Sequence, residues 1–495
     1  FHSSQIFRYF VTILVVLSQK TLFGGKRFPG APRVYNFAVP NRTTFTMTLP
    51  EWTRLENSAI IYPCCRTRKY ATVFRHSVTL DDTVDRELLQ KALSTVLGRF
   101  PSFRYTVRRG FFWWFLQKLE NEPVVGTRRD FVPIDVKRNG GYMFSLNCEE
   151  DRIDLDVYHA LTDGNGAMTF LLSIVAEYLR LAHGVEAEYG KWIFDPSAEP
   201  VAEEIEDGFD RFSGTKGKMD DEKRAWHIKG REERPGMVNS LGVSFSSDDV
   251  RAKARELDCT VTELLSAVIL TSLQEVHSGQ KGRKSPFIRM EVPVNLRPIF
   301  GSKTMRNFAS YVYLTLDVTN GIYSFEDALR EVKYQKRLYV QPARLTKKIA
   351  ANVALEDNFG VRCIPLFIKR PIINIINYLK GDNYGTYTFS NVGNIELPGE
   401  VASHVRDIHF ALGRTRSRSG SCAGVSFGGT MNLNFTRKIA EDDLERIFVR
   451  NLRGLGIWAT VTVPATPLRP TVGTSVPVRA RFRSHSFIPG FFLSL

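Results

Sequence analysis

The chain has 495 residues, of which 43% are apolar and 24% charged, so its length predicts two to four globular domains with one or two full-sized cores. Its net charge of +15 lies mostly in residues 1–50 and 456–495, which together carry ten basic residues and no acidic one. The remaining weakly basic body needs no polyanionic partner, so nucleic-acid binding is not predicted, although this charge is compatible with a basic patch for a phosphorylated cofactor.

Both terminal segments differ in composition from the body of the chain. Balanced charge begins at Met47, and the last segment is rich in valine, proline, threonine and arginine without any periodicity. We expect residues 1–46 and 457–495 to be non-native or disordered extensions. A signal peptide over residues 7–19 is the alternative, but its apolar run is far shorter than the ~20 residues of a membrane span, and no small-residue cleavage site follows it cleanly.

Cysteine use is typical of a protein in a reducing compartment. None of the six cysteines forms a C-x-x-C pair, and the adjacent Cys64 and Cys65 cannot readily bridge each other. We therefore predict that the chain has neither a disulfide framework nor a metal site and that it is located in the cytoplasm. Because its apolar run is short, no membrane span is predicted either. The sequence does not indicate an oligomeric state.

Alternating and helical patterns follow one another along the first half. Valine, leucine and alanine recur at helical spacing after residues 81–83, which are predicted to cap a helix that Pro101 ends. The predicted elements are a strand over 72–80, a helix over 81–100, a hairpin over 103–117 that turns at Arg109–Gly110, a strand over 152–159 and a helix over 166–183.

Residues 185–237 are charged, interrupted by proline and glycine and only weakly periodic, which predicts a partly mobile crossover linker. A second set of strands and helices follows this linker. Its last three strands, over 408–413, 423–429 and 430–437, are predicted to complete the sheet of the second half. The other predicted elements are a strand near 242–245, helices from Ser246 or Ser247 and from near Thr260–Thr262, strands over 287–298 and 307–318, a helix with Ser324 as its N-cap, a strand over 385–399 that breaks at Ser390–Asn391, and a helix over 440–456.

Strands and helices thus alternate in two halves of similar size. This pattern predicts an α/β fold of two lobes with mixed sheets and helices, formed by residues 47–184 and 238–456. Ligand pockets favour such junctions, so we expect an active-site channel between the lobes.

One segment, DVYHALTDGNGAMTF over residues 156–170, places a histidine and an acid beside two glycines, between a strand and a helix. His159 ends the alternating strand on its apolar face, and the strand alone favours a buried histidine whose nitrogens bond to the backbone. The following turn, which contains Asp163, Gly164 and Gly166, would hold a strand-end side chain rigidly and favours a functional imidazole instead.

The heptapeptide YHALTDG matches an H-x-x-x-D-G signature, and over about residues 50–455 the chain resembles the CoA-dependent acyltransferase superfamily. That superfamily includes chloramphenicol acetyltransferase, carnitine and plant alcohol acyltransferases, and the condensation domains of nonribosomal peptide synthetases. In detail the chain is most similar to the bacterial alcohol acetyltransferases. The resemblance extends to the segments LDDTVDRELLQKALSTVLGRFPSFRYTVRRG, LDCTVTELLSAVILTSL, VPVNLRP followed by RNFAS, and YTFSNVG.

The resemblance implies an O-acyltransferase (alcohol acetyltransferase-like) with His159 as general base. The base would act on an acceptor hydroxyl or amine that attacks an acyl thioester directly, without an acyl-enzyme. The resemblance also implies that Asp163 points away from the site and pairs with Arg297. Helix capping by Asp163 is the alternative, and the two roles can hold together. Gly164 would let the thioester arm pass close to the backbone.

Other roles are implied in the second half of the chain. Ser390 and Asn391 on the crossing strand are candidate oxyanion donors, with a local turn pair as the alternative. Asn307 in RNF is implied to be a structural residue near the site. Acetyl-CoA or another acyl-CoA is the implied co-substrate, with a small alcohol or amine as acceptor and no bound cofactor. No residue can be assigned to the 3′-phosphate of CoA.

Two features depart from the relatives. Tyr158 stands where many of them have a first histidine, and the D-F-G-W-G motif of the plant enzymes is absent. Because neighbouring residues of a strand point to opposite faces, Tyr158 does not obviously compromise His159. The alternative functions are a carrier-protein-dependent condensation or acylation enzyme and a catalytically inactive binding protein of the same fold.

Overall fold

The computed structural model describes residues 50–67, 72–128, 131–214, 223–233, 238–282, 284–357, 359–380, 382–416 and 418–462. Its strands are β1 Trp52–Arg54, β2 Val73–Leu80, β3 Tyr105–Arg109, β4 Trp114–Lys118, β5 Phe144–Glu149, β6 Arg152–Tyr158, β7 Asn239–Ser246, β8 Phe287–Asn295, β9 Ala309–Asp317, β10 Tyr387–Asn394, β11 Val405–Leu412, β12 Gly420–Phe427, β13 Thr430–Arg437 and β14 Ala459–Thr462. Its helices are α1 Ile61–Cys65, α2 Arg86–Arg99, α3 Gly164–His183, α4 Gly208–Phe212, α5 Ser247–Glu256, α6 Val261–Gly279, α7 Arg297–Phe300, α8 Phe325–Tyr339, α9 Pro342–Asp357, α10 Phe359–Arg362, α11 Leu366–Lys380, α12 Gly399–Ser403 and α13 Asp443–Gly454.

The first lobe is built on a four-stranded antiparallel sheet in the order β11-β2-β6-β5, which shares a hydrophobic core with α2 and α3. Alternate residues of β6, Ile153 and Leu155 among them, are fully buried in that core, as the pattern of this strand predicts. The residues between them are polar but also buried. Arg75 on β2 donates to Asp154 and Asp156 on β6 at 3.1 and 2.6 Å, so each charge on that face has a partner.

Helix α2 begins later than predicted. Its N-cap is Asp85 rather than a residue of 81–83, and the Asp85 carboxylate accepts the N–H groups of Glu87 and Leu88 at 2.7 and 3.0 Å. The sequence prediction was wrong because the N–H of Val84 donates to a carbonyl of the β5–β6 turn, 2.8 Å away, which holds residue 84 outside the helix.

The second lobe is built on a seven-stranded mixed sheet in the order β14-β7-β13-β12-β10-β8-β9. Strand β10 runs parallel to both of its neighbours, β8 and β12, while the other pairs are antiparallel. Helices α6, α8 and α13 contribute buried residues to its core, and α6 is buried over most of its length. The predicted α/β fold with two lobes is confirmed by these two cores.

The predicted sheet of strand β11 was wrong. The segment 408–413 was expected to complete the second sheet, but β11 pairs antiparallel with β2 in the first sheet. Strand β12 lies against both lobes, because Ala423 and Val425 pack in the first core while Cys422 packs in the second. The alternation of apolar residues in β11 indicates which side chains face a core but not which strand lies beside it, so its neighbour could not be deduced from the sequence pattern.

The described parts of the crossover, residues 185–214 and 223–233, are packed on both lobes. Ile193 lies in the first core, Trp226 in the second, and Phe209 in a small third cluster with Leu296 and Phe308. The predicted linker is therefore a crossover whose apolar residues anchor it on the lobes.

The expected end of the fold at residue 456 is wrong for residues 457–462. Ile457 is buried in the second core, and β14 pairs antiparallel with β7 at the edge of the seven-stranded sheet. The other residues of the two expected extensions, 1–46 and 463–495, lie outside the described residues. Within the described part of the chain no single helix is long and apolar enough to cross a bilayer; α5 and α6 pass that test only together, and they are bent by 88°.

Candidate active site

His159 follows β6 directly and lies between aromatic rings of the first lobe. Its N–H donates to the carbonyl of Thr72 at 3.0 Å, which continues the pairing of β6 with β2. The ring of Tyr62, on α1, stacks on the imidazole with centroids 4.5 Å apart and planes 16° apart. Phe74, on β2, meets the same ring edge-on at 5.1 Å. These contacts hold the partly buried imidazole in one orientation.

Asn307, in the β8–β9 connection of the second lobe, determines which nitrogen of His159 carries the proton. The Asn307 Nδ2 donates to the His159 carbonyl and to Oε1 of Glu56, both at 3.0 Å. Both of these partners only accept, so the other atom of the amide is its oxygen, and this oxygen faces His159 Nδ1 at 3.1 Å. Nδ1 is therefore the protonated nitrogen, and Nε2 keeps its lone pair. None of the described residues hydrogen-bonds Nε2.

Glu56 is the buried anchor of this arrangement, since only 1% of the residue is exposed. Arg306 donates from Nε to Glu56 Oε2 at 2.9 Å, and the Arg306 Nη2 also bonds to that oxygen. The carboxylate is thus neutralised on one oxygen and accepts the Asn307 amide on the other. Because the amide is fixed by a charged acceptor, it cannot flip without losing a charge-assisted hydrogen bond.

The electrostatic surroundings keep His159 neutral. Burial lowers its pKa below the ordinary value of 6.5, and the hydrogen bond to Asn307 and the nearby carboxylates of Asp163 and Glu291 offset only part of that effect. At pH 7 the ring is therefore an uncharged imidazole with a free lone pair, which is the form that can accept a proton.

Asp163 caps the helix and also forms an ion pair. Its Oδ1 accepts the N–H of Gly166 at 3.1 Å as the N-cap of α3. Its Oδ2 accepts Arg297 Nη1 at 2.8 Å and the N–H of Phe308 at 2.9 Å. Burial alone would raise the pKa of Asp163, but the guanidinium and the two N–H groups hold it below its usual range. The carboxylate therefore joins the turn after His159 to the second lobe and carries no spare proton.

Arg297 binds the rest of the β8–β9 connection as well. Its Nε donates to the carbonyl of Thr304 and its Nη2 to that of Arg306, each at 2.7 Å. Since Arg306 and Asn307 are adjacent, the same guanidinium that pairs with Asp163 also fixes the loop that presents Asn307 to His159.

The two glycines of the turn differ in the space around them. A Cβ on Gly166 would lie 2.2 Å from Thr162 Oγ1 and 2.7 Å from the carbonyl of Met305, so only glycine fits there. A Cβ on Gly164 would meet its nearest neighbours at 3.8–3.9 Å, which are ordinary contacts. The packing of the protein by itself thus requires glycine at 166 and tolerates a side chain at 164.

His76 lies beside this turn. It is fully buried on β2, stacks on Phe410 with centroids 4.6 Å apart, and donates from Nε2 to the carbonyl of Gly164 at 3.0 Å. Burial lowers the pKa of His76 to about 3, so this ring is also neutral. Its hydrogen bond fixes the first residue of α3, and its stacking on Phe410 connects β11 to the turn after His159.

The two predicted residues of the crossing strand β10, Ser390 and Asn391, have different surroundings. Asn391 donates from Nδ2 to Thr262 Oγ1 at 3.2 Å and accepts the N–H of Gly393 at 2.9 Å, so its amide serves the start of α6 and its own turn. The Ser390 hydroxyl has no hydrogen-bond partner among the described residues, and the side chain, one position earlier on the strand, points to the opposite face. On that side, the β12 partner of Ser390, Ala423, packs in the core of the first lobe.

One group of described side chains has the spacing of metal ligands. Ligand atoms of Asp82, His183 and His404 lie within 4.8 Å of one another, and the two imidazoles stack at 4.9 Å. His183 ends α3, whereas the His159 turn begins it, so the length of a 20-residue helix, ~30 Å, separates this group from His159. It contributes nothing to the arrangement around the imidazole.

Sequence reasoning found His159, Asp163, Arg297 and Asn307, and the structure brings these four together. It did not find Tyr62 and Phe74, which contact the imidazole, Glu56, which holds Asn307, or His76, which bonds to the turn at Gly164. Glu56 and Tyr62 lie in a short segment without strand or helix periodicity, and the single indication was an acid placed just before an apolar run, ENSAIIYP.

The chain resembles known proteins only weakly in sequence. No family model matches it. An uncharacterized protein of Mycobacterium tuberculosis, found in strains CDC 1551 and H37Rv, is 22% identical over 294 residues, which cover 58% of this chain and 67% of that protein.

Three solved structures share the fold at low identity. The TRI101 protein of F. sporotrichioides, complexed with coenzyme A and T-2, is 11% identical with a TM-score of 0.54 and covers 83% of this chain and 99% of its own. The first condensation domain of the calcium-dependent antibiotic synthetase, in complex with a substrate analogue, is 14% identical with a TM-score of 0.54 and covers 82% and 95%. Polyketide synthase associated protein 5 from Mycobacterium tuberculosis is 12% identical with a TM-score of 0.53 and covers 81% and 98%.

Proposed function

We propose that this chain, which has the two-lobed fold of the CoA-dependent acyltransferases and condensation domains, is an acyl-CoA-dependent O-acyltransferase that moves an acyl group from a thioester to an acceptor hydroxyl. One observation carries the proposal. His159 is held neutral with its proton on Nδ1, while none of the described residues binds Nε2. A lone pair prepared in this way suits the removal of a proton from a substrate.

The proposed reaction is a direct transfer. The hydroxyl oxygen of the acceptor attacks the thioester carbonyl while Nε2 of His159 takes the hydroxyl proton. The tetrahedral intermediate then collapses, the carbon–sulfur bond breaks, and the imidazolium returns the proton to the departing sulfur. Asp163 takes no part in proton transfer, because its carboxylate is occupied by Arg297 and two N–H groups.

Ser390 is the proposed donor to the oxyanion of the intermediate. Its hydroxyl has no partner among the residues that the structure describes, and its neighbour on β12, Ala423, packs in the core of the first lobe, which also carries the motif. A donor at that place stabilises charge that develops only in the transition state. Asn391 is proposed to have a structural role instead, since both ends of its amide are engaged by neighbouring residues.

Coenzyme A is the proposed carrier of the acyl group, because a similar structure was solved with coenzyme A. A carrier-protein thioester is the second candidate donor, and the equal likeness to a condensation domain favours it. The proposed setting is the cytoplasm, because the six cysteines form no disulfide and suit a reducing compartment.

The test uses the full chain with acetyl-CoA and a panel of alcohols, and measures the release of free thiol. We expect His159→Ala to lower kcat/KM by at least about 100-fold, whereas His404→Ala, at the far end of α3, leaves it unchanged. Equal rates for His159→Ala and the parent protein would remove His159 from the mechanism. Turnover with carrier-bound acyl groups and none with acyl-CoA would select the second donor.

A further inference from the structure

The tip of the β3–β4 hairpin exposes three consecutive aromatic residues. Phe111, Phe112 and Trp113 are 65%, 38% and 47% exposed, although turns of this kind are usually formed by small polar residues. A contiguous apolar group on a protein surface marks an interaction site more often than a chance exposure.

Helix α11 also presents an apolar face to solvent. Phe367, Pro371, Ile375 and Tyr378 are exposed, and their spacing places them on one side of the helix. Amphipathic helices of globular proteins normally bury that side. The helix packs instead through its other residues, against α1.

Hairpin and helix form one continuous surface, here called the aromatic face, with Phe111, Phe112, Trp113, Phe367, Ile375 and Tyr378 as its apolar members. The N–H of Leu366 donates to the carbonyl of Phe111 at 2.7 Å. Lys369 Nζ donates to the carbonyl of Phe112 at 3.0 Å, and the rings of Phe111 and Phe367 meet edge-on at 6.4 Å. The two elements therefore present their apolar side chains together.

The charged residues within the two segments are all basic. Residues 103–118 and 359–380 contain eight basic residues and no acidic one, and two of the eight, at the end of the hairpin away from its tip, form ion pairs with nearby glutamates (Arg104–Glu122 and Lys118–Glu120). Arg108 and Arg109 are exposed at the base of the hairpin tip, and Lys369 and Arg362 lie over the ring of Trp113 at 5.1 and 5.8 Å. Long cationic side chains can keep their heads at the edge of an apolar surface while their stems lie on it.

We propose that the aromatic face docks this protein on the surface of an anionic lipid bilayer. Aromatic and aliphatic side chains would enter the interface between headgroups and acyl chains, and the surrounding cations would bind lipid phosphates. Exposed aromatic rings bordered by arginine and lysine, in two segments that contain no acid, fit such a surface better than the mixed charges of most protein interfaces.

The position of the aromatic face gives docking a consequence for the candidate site. Helix α11 packs on α1, and α1 carries Tyr62, whose ring stacks on His159 at 4.5 Å. A bilayer against α11 would therefore lie one helix away from the imidazole. The docking proposal itself does not require that His159 is catalytic.

The test is co-flotation of the full chain with vesicles of phosphatidylcholine containing 30% phosphatidylserine, compared with vesicles of phosphatidylcholine alone. We expect binding to the anionic vesicles that is at least about tenfold tighter and weakens with added salt. Ile375→Ser and Trp113→Ser should each weaken it by about tenfold. Ile322→Ser, at a still more exposed isoleucine in the β9–α8 connection, is the matched control and should bind as the parent does.

The variants also separate docking from other effects. The basic termini are the same in every variant, so attraction through them cannot produce the expected difference. Unchanged thermal unfolding midpoints show that the variants are folded, and His159→Ala should bind vesicles normally, which keeps this result independent of the proposed catalysis. Equal binding by parent, Ile375→Ser and Trp113→Ser overturns the proposal. Failure of the parent protein to bind anionic vesicles also overturns the proposal. If the parent does not bind vesicles and Ile375→Ser instead abolishes self-association or the binding of an acidic carrier protein, the aromatic face is a protein interface and the lipid proposal is wrong.

Discussion

Asn307 contacts His159 through both ends of its amide: Nδ2 donates to the His159 carbonyl at 3.0 Å and Oδ1 accepts from Nδ1 at 3.1 Å. One side chain from the second lobe thereby fixes both the backbone and the ring of a residue in the first. This contact places the proton of the imidazole on Nδ1 and so selects a single tautomer of the ring.

Removal of that amide should affect the chemical step more than binding. We expect Asn307→Ala to lower kcat by about 100-fold with little change in KM, because the ring loses the acceptor that selects its tautomer and orientation. Steady-state thiol-release kinetics measure the change. Asn394→Ala, an exposed amide on the same strand as Ser390, is the control. A loss confined to KM would assign Asn307 to substrate binding.

The rate should depend on pH through a single group on the acid side. The active form of His159 is neutral and burial lowers its pKa, so kcat should rise with pH through a midpoint below 6.5 and be level between pH 7 and 8. The hydrogen bond to Asn307 raises this pKa, so the residual activity of Asn307→Ala should have a still lower midpoint. A midpoint above 6.5 in the parent protein would contradict a buried, neutral imidazole.

The two glycines of the motif should respond differently to the same substitution. Gly166→Ala forces a methyl group to within 2.7 Å of a carbonyl oxygen and should destabilise the fold by roughly 1–3 kcal/mol. Gly164→Ala meets ordinary contacts and should leave the unfolding midpoint unchanged or slightly higher. If a thioester arm passes this backbone, Gly164→Ala should still raise KM for acyl-CoA about tenfold. An unchanged KM would remove Gly164 from the binding path.

The buried pair of Asp163 and Arg297 should matter for stability. Asp163→Ala leaves the guanidinium without its charged partner in a buried site, and we expect a loss of about 3–5 kcal/mol in urea unfolding. Asp248→Ala breaks the exposed pair with Arg251 and should cost less than about 1 kcal/mol. Because the pKa of Asp163 is lowered, its contribution is present above pH 3.8 and is lost as the pH falls through the folded-state pKa.

His76 should make the fold sensitive to mild acid. Its pKa falls from 6.5 to about 3 on folding, so below pH 6.5 the unfolded chain binds a proton that the folded chain does not. Stability should therefore decrease as the pH drops from 6.5 towards 3, by about 2 kcal/mol between pH 6.5 and 5 from this group. His76→Gln keeps a donor for Gly164 without titrating, and its urea unfolding should show that much less pH dependence. The same slope in both proteins would assign the effect elsewhere.

The local features of this protein could be predicted from its amino-acid sequence. Period and capping residues predicted most of the elements, and the turn chemistry of HALTDGNG singled out His159 and Asp163. Resemblance added Arg297 and Asn307 from a segment about 140 residues away. These features could be predicted because helix and strand periodicity and turn residues act within a few positions of the chain.

The contacts between these elements became known from the three-dimensional structure. The pairing of β11 with β2, the buried Glu56 behind Asn307 and the stacking of Tyr62 on His159 join residues that are far apart in the chain. No local pattern marks such contacts, since an alternating strand and an isolated acid before an apolar run look the same whatever they touch. The protonation state of His159 likewise follows from burial and from an amide of the other lobe, which exist only once the two lobes are packed together.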